Sequence, residues 1–397
     1  MPKSFVGKVR AKLQELYTRE IKVDKQNKNI YLNGDDNLYP YEIERAINNS
    51  PTATRAADIM QKFITGKGVE NDVLVNKKKG YYLSDIANLA GTDISIQNGF
   101  FIWVGYGLDL AGEEFVPVSN KLDVLDYSNT RISKEDDNEY NGRIYYKDYQ
   151  CKKVNYGKDR SETKDEWFYP YNSSADIIIS QMKADARKAL GRKKDELVTI
   201  EEMVKHYRGQ VLYVNLTPRY KYALSKFDSV FNDADSEYRF SLYVNTQMRS
   251  GFLGKTAVVM QGLDEEDEEQ EFENVTKWLG AENSGGVYCL NVEQIEDLDN
   301  VLKIVQPKAQ LDDKLFVEND KRIRRNILGA ANNLPEPLIY AGEGALFGTS
   351  GDTYKQMKLF YQEQTQRERS AIEKTLKRLG FETKIIPIIE EDADTEV

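Results

Sequence analysis

The sequence predicts an α+β fold: a mixed first half, then long amphipathic helices that flank a small inserted module. Three observations carry the prediction. Apolar residues recur at helical spacing through 218–250, 311–333 and 352–379. The run 100–107 (FFIWVGYG) and much of 114–216 read as strands instead. Between the second and third helical patterns lies 334–355, LPEPLIYAGEGALFGTSGDTYK. Pro335 and Pro337 stop the preceding helix, because proline lacks a backbone donor and restrains the residue before it. Gly342, Gly344, Gly348 and Gly351 then permit φ > 0 and tight reversals. A solvent linker rarely holds Leu338, Ile339, Tyr340, Leu346 and Phe347, so the loop is expected to project and move.

Composition bounds the classes. With 397 residues the chain is long enough for two or three domains, and 40% hydrophobic content suffices for a core. The net charge of -10 argues against a protein that grips nucleic acid, which is ordinarily basic. It is compatible with a repulsive wall past which DNA moves. Cys151 and Cys289 have neither a second Cys nor a His at metal-ligand spacing, so reduced thiols are expected rather than a disulfide or zinc site. No apolar run approaches the ~20 residues of a membrane span. Segment 1–20 is basic and amphipathic without an apolar signal core; it reads as a surface helix, an arm onto a neighbouring subunit or a frayed end, with the last two expected over a targeting peptide.

Taken in order, 33–47 reads as a turn entering a short helix. Ser50 is an N-cap, Pro51 suits the first helical position and Gly66 stands just past the end. Between them Ala53, Ala56, Ala57, Met60, Phe63 and Ile64 repeat at helical spacing. Ser84 is expected to cap a helix running toward Asn98. The middle, 114–216, is expected to be mostly β, with a hairpin at Asn141-Gly142, strands at WFYPY and GQVLYVNL, and a capping box at 199–202 opening a helix through Lys205. Its tyrosines are expected to pack across a sheet rather than bind bases.

From Pro218 to Gly251 the pattern becomes helical, with Tyr220, Leu224, Phe227, Phe231, Tyr238, Leu242 and Met248 as an imperfect stripe. Segment 251–310 reads as a small α+β module: a strand, a helix around 274–279 and two more strands. Its acidic run, Asp264, Glu265, Glu266, Asp267 and onward, is expected to be solvated, since consecutive like charges do not converge on one ion. In the next helix Leu311, Leu315, Phe316, Ile323, Ile327, Leu328 and Ala331 share a face, and Lys321, Arg322, Arg324 and Arg325 wrap around it. Asp352 is expected to cap the last helix and Gly380 to stop it. FETKIIPII is expected to form one strand, and EEDADTEV an acidic tail.

Catalytic motifs fail on spacing. SGFLGKT has Arg249 where a phosphate loop needs glycine, and GEGALFG does not follow a strand. His206 is the only histidine, so no nucleophile–base pair is marked.

The order of elements resembles the portal protein of tailed bacteriophages, over 33–68 and 211–380. NGDDNLYP and NNSPTATRAADIMQKFITGKGV look like the opening of a portal wing, and NNLPEPLIYAGEGALFGTSGDTYKQ is similar to the family's tunnel loop. The resemblance implies an N-terminal arm (1–32), a wing (33–217), stem helix 1 (218–250), a clip (251–310), stem helix 2 (311–334), a tunnel loop (335–351), a long following helix (352–380), and a short strand with an acidic tail (381–397). Portals often continue into a helical crown. Only 17 residues follow Gly380 here, so a crown is minimal.

What the family does then becomes the expectation: a homododecameric ring at one capsid vertex, in the virion and, during assembly, the host cytoplasm. Double-stranded DNA passes through the channel. The large terminase subunit, the major capsid protein or scaffold and a head–tail adaptor are the partners, with no membrane, cofactor, metal or catalytic residue. Pro337, Tyr340, Gly342, Glu343, Gly344, Leu346, Phe347, Gly348 and Gly351 would form the tunnel loop. Phe227, Phe231, Leu242, Phe316, Arg322 and Arg325 would make stem and ring contacts. Asp264, Glu265, Glu266, Asp267 and Trp278 would meet terminase and adaptor. The other readings are a metal-dependent phage nuclease and another ring-forming head–tail connector.

Overall fold

The computed structural model describes residues 23–24, 29–111, 114–134, 142–147, 166–250, 257–260, 302–305, 313–340 and 351–389. The short ladder β1 (Val23–Asp24) with β2 (Ile30–Tyr31) leads to helices α1 (Tyr39–Asn49) and α2 (Pro51–Thr65). The Ser50 side chain accepts from the Ala53 N–H, and Pro51 occupies the first helical position, so the local signals place α2 where the sequence expects it. Strands β3 (Leu74–Asn76) and β4 (Tyr81–Tyr82) precede α3 (Leu83–Gln97). Here the expected cap is wrong by two residues. The Asp85 carboxylate accepts from the Tyr82 N–H, while Ser84 lies inside the first turn and donates to Asp72.

A six-stranded sheet follows, in the order β6-β5-β10-β9-β8-β7. The strands are β5 (Gly99–Ala111), β6 (Glu114–Leu125), β7 (Thr130–Ile132), β8 (Ile144–Tyr146), β9 (Glu166–Pro170) and β10 (Gln210–Asn215), all paired antiparallel except β9 with β10. Alternation assigns the faces. Phe100, Ile102, Val104 and Leu212 join α1, α2 and α3 in the main core. Phe101, Val211, Phe168 and Ile144 point to the other face, where Tyr127 and Tyr222 complete a smaller core. Phe101 stacks on Tyr213 with centroids 4.3 Å apart, so these tyrosines do pack across the sheet.

The hairpin between β7 and β8 is wider than Asn141-Gly142 implied. The Gly142 N–H donates to the Lys134 carbonyl, so the connection spans 135–141, outside the described residues. The middle also holds a helix that a mostly-β reading overlooked, α4 (Ala175–Leu190). With α5 (Ile200–His206) it packs Ile178, Met182, Ala186 and Met203 against Tyr106 and Leu108 of β5.

The helix expected from 218 begins later. Residues 217–225 turn inward, burying Tyr222 and Ala223, and the Ser225 side chain accepts from the Phe227 N–H. A 3-10 turn (Lys226–Val230) then enters α6 (Phe231–Ser250). Beyond it, β11 (Ala257–Met260) pairs antiparallel with β12 (Leu302–Val305), and α7 (Asp313–Ala330) returns. Within 251–310 these two strands are described; the expected helix at 274–279 and the acidic run lie outside. Asn326 donates to Asp233 at 3.1 Å and Lys226 to Asn332 at 2.6 Å, so α6 and α7 run antiparallel.

The last helical pattern is split into α8 (Gly351–Gln364) and α9 (Gln366–Arg378). Thr365, between them, turns its hydroxyl back to the Tyr361 and Gln362 carbonyls. Asp352 sits in the first turn of α8 rather than capping it. FETKIIPII forms no full strand: a single bridge joins Ile385 to Val69, flanked by Ile386 N–H to Gly68 O, and Pro387 has no donor with which to extend it.

Candidate functional site

The roots of α6 and α7 enclose an open groove of about 1170 Å³. Phe240, Leu328 and Leu334 contribute its apolar wall. Lys321, Arg322, Arg324 and Arg325 face Glu237, Glu318, Asp320 and Glu336 around it. Helical spacing explains this: Lys321, Arg324, Arg325 and Leu328 lie three or four residues apart on one side of α7. Arg324 pairs with Asp320, one turn back, at 2.9 Å.

The groove ends on a polar knot built from three distant segments. The α2 N-terminus offers its first-turn donors, and the Glu237 carboxylate of α6 takes them: the Ser50 hydroxyl, the Thr52 N–H at 3.3 Å and the Thr52 hydroxyl at 2.7 Å. A carboxylate only accepts, so the Thr52 proton points at Glu237. The Tyr340 hydroxyl, 2.8 Å from Thr52 Oγ1, is therefore the donor of that contact. The Arg324 guanidinium lies over the Tyr340 ring, 5.5 Å from its centroid. Tyr340 is thus held by α2 and α7 together, at the point where the glycine-rich segment begins.

A second anchor lies below. Lys226 donates to Glu368 of α9 at 2.5 Å and to Asn332 at the end of α7. Burial pulls the Lys226 ammonium below its usual range, and Glu368 opposes that pull.

Of the expected loop residues, Pro337 lies in a 3-10 turn (Glu336–Leu338), Tyr340 is in the knot and Gly351 opens α8. Gly342, Glu343, Gly344, Leu346, Phe347 and Gly348 lie outside the described residues. Of the expected stem contacts, Arg322 and Arg325 are exposed on the groove and Leu242 is 49% exposed. Phe227, at 1% exposure, is in the chain's own core, and Phe231 packs partly buried against it. The side chain of Phe316, and the expected clip contacts Asp264, Glu265, Glu266, Asp267 and Trp278, lie outside the description. Glu237, Thr52, Lys226 and Glu368 carried no signal in the sequence, because each finds its partner more than a hundred positions away. Among the described residues no three His, Cys, Asp or Glu side chains are arranged to hold a metal ion, and no helix is long and apolar enough to cross a membrane.

No protein-family model matches the chain, and no curated protein does. Among solved structures it is similar to a chain in the neck of a native gene transfer agent particle computed with C12 symmetry, at 13% identity and a TM-score of 0.47, covering 90% of this chain and 84% of that one. It is also similar to a chain in the virion of that native particle (13%, TM-score 0.43, 90% and 84% covered). A third is in the neck of an empty particle computed with C6 symmetry (12%, TM-score 0.42, 89% and 84% covered). Likeness at this level identifies no family.

Proposed function

We propose that the chain is a phage portal protein, a subunit that closes into a ring at one capsid vertex and surrounds a channel for double-stranded DNA. The observation that carries the reading is the antiparallel α6–α7 pair, rooted in the mixed domain and bearing a two-stranded ladder between its far ends. Tyr238, Phe240 and Leu242 of α6 are 38%, 40% and 49% exposed. Tyr238 and Leu242 lie one turn apart on one side of α6. Exposed apolar groups on a long helix are ordinarily covered, and neighbours in a closed cyclic assembly cover them on every subunit at once.

In this reading Arg322 and Arg325 meet acidic groups of a neighbour, which sets register more than affinity. The segment after Tyr340 stands at the channel, with Tyr340 fixing its base and the glycines jointing its tip. The acidic balance of the chain keeps phosphate contacts few, so the duplex is not braked. The 251–310 module meets the large terminase subunit during filling and an adaptor afterwards, and the wing meets capsid protein or scaffold. The assembly is a dodecamer of the virion, put together in host cytoplasm, and it is not an enzyme.

Electron microscopy of purified protein tests this. Top views showing rings of about twelve units with a central hole are expected. A Tyr238→Asp, Leu242→Asp variant is expected to keep its circular dichroism and lose the rings. Rings that survive the double change would end the role given to α6. Gly344→Pro is expected to leave rings intact and impair packaging.

A further inference from the structure

Three carboxylates from separate elements meet where α1 and α3 join the sheet: Glu44 of α1, Asp93 of α3, and Asp126 just ahead of a 3-10 turn (Tyr127–Asn129). Two have donors. Glu44 Oε1 accepts from the Ser128 hydroxyl and from Gln97 Nε2, while Asp126 accepts from the Ser128 N–H at 2.8 Å and Asn129 Nδ2 at 2.9 Å. Asp93 differs. It is only partly buried as a residue, yet its Oδ2 is sealed from solvent with no hydrogen-bond partner. One helical turn on, Gln97 is 1% exposed and its Oε1 is also sealed and unpartnered. That amide is not reversed, because Nε2 is needed by the Pro40 carbonyl at 3.0 Å.

The junction therefore holds two orphaned acceptors four residues apart on one helix face, beside two further carboxylates. A single proton shared between them would satisfy both. A neutral acid has a donor that an ionised one lacks, and the amide oxygen can take it. A metal ion would need a ligand set that these side chains do not form. Among the described residues, the charged groups that raise Asp93 are Asp126 and Glu44, both acidic; the Tyr127 phenol stands nearby, with the buried Arg131 guanidinium beyond it.

We propose that Asp93 is carried as the neutral acid, donating from Oδ2 to Gln97 Oε1, so that the junction is a buried proton-binding site. Burial and then Asp126 and Glu44 raise the Asp93 carboxyl well above its ordinary range, in the same direction. The site bears on the stem. The same helix end bonds the segment that leads into α6, through Asn98 Nδ2 to the Leu224 carbonyl at 3.1 Å and the Ser225 hydroxyl to the Ile96 carbonyl. Proton loss sets three like charges against one another at that joint. The inference is independent of the portal reading.

Asp93→Asn tests it, since an amide keeps the shape and supplies a permanent donor. The sign follows from linkage: a raised carboxyl contributes stability below its unfolded pKa and loses it as pH rises through the folded one. Wild-type melting temperature is expected to fall relative to Asp93→Asn as pH rises, by a few degrees. Infrared spectra of the wild type at neutral pH are expected to show a protonated-carboxyl stretch that Asp93→Asn lacks. Gln97→Met, which removes the acceptor, is expected to move that stretch's loss to lower pH. A pH-independent difference between wild type and Asp93→Asn, or identical infrared spectra, would overturn the proposal.

Discussion

Removing the Glu368 carboxylate tests what the lower anchor is worth. Lys226 Nζ and Glu368 Oε1 are 2.5 Å apart, with side chains 16% and 5% exposed. Little solvent is present to screen the pair or replace a lost partner. Glu368→Leu leaves the ammonium with the neutral Asn332 side-chain oxygen, Oδ1, 2.6 Å away, as its acceptor among the described residues. An ion buried without its counter-charge costs about 3–5 kcal/mol. At about 2 °C per kcal/mol for a large domain, melting is expected to fall by roughly 6–10 °C. Lys226→Met should cost about as much, because it strands Glu368, whose Oε2 already lacks a partner. The double variant should recover most of the loss, since a well-packed apolar pair is often no worse than a buried ion pair. Burial already holds Lys226 below its usual range, and without Glu368 nothing opposes it. Folded Lys226 then binds its proton more weakly than unfolded lysine, so stability rises with pH up to the ordinary lysine range. The Glu368→Leu deficit is therefore expected to shrink at alkaline pH. Denaturant melts of the four proteins measure the cycle. Single costs below about 1 kcal/mol, or costs that simply add, would mean the pair is screened like a surface one.

Tyr340→Phe removes one end of the hydrogen bond to Thr52, at about 0.5–1.5 kcal/mol, and Thr52→Val removes the other end and the bond to Glu237, so it costs more. Their double variant should lose less than the sum, since both singles remove the same contact; strictly additive urea melts would refute the shared contact. Gly66 has φ +59 and a Cβ there would stand 2.0 Å from the Ile386 carbonyl oxygen, so Gly66→Ala is expected to cost about 1–3 kcal/mol by thermal melting, and wild-type stability would refute the close approach. The Arg192 fork, then the Thr199 N–H, hold the Glu202 carboxyl down at about 2. That depressed group stabilises the α4–α5 connection above the ordinary Glu range and releases it as pH falls through about 2. Hydrogen exchange across 192–199 should separate wild type from Glu202→Gln at about pH 6 and not in strong acid; equal protection at both would remove the fork from the account.

Much of the architecture was legible because its determinants are local. Ser50-Pro51 and the box at Thr199–Glu202 satisfy orphan helix donors within three residues, so they mark α2 and α5 wherever the chain goes. The stripe Ile323, Ile327, Leu328, Ala331 predicts the buried face of α7 for the same reason. α4 was legible too, with Ile178, Met182 and Ala186 at four-residue spacing and Gly191 as its left-handed stop, and it was hidden by the surrounding strand signals.

Tertiary structure decided the rest. Apolar periodicity ran from 218, but Tyr222 and Ala223 found a better site against the sheet, and the helix was delayed to Phe231. The α6–α7 contact, the Glu237–Thr52–Tyr340 knot and the Lys226–Glu368 pair join residues separated by 93 to 288 positions. Propensity and capping are properties of a few neighbouring residues, and they say which face a helix must bury. Which partner a polar group meets depends on where the whole chain has brought the other one, and no local spacing encodes that.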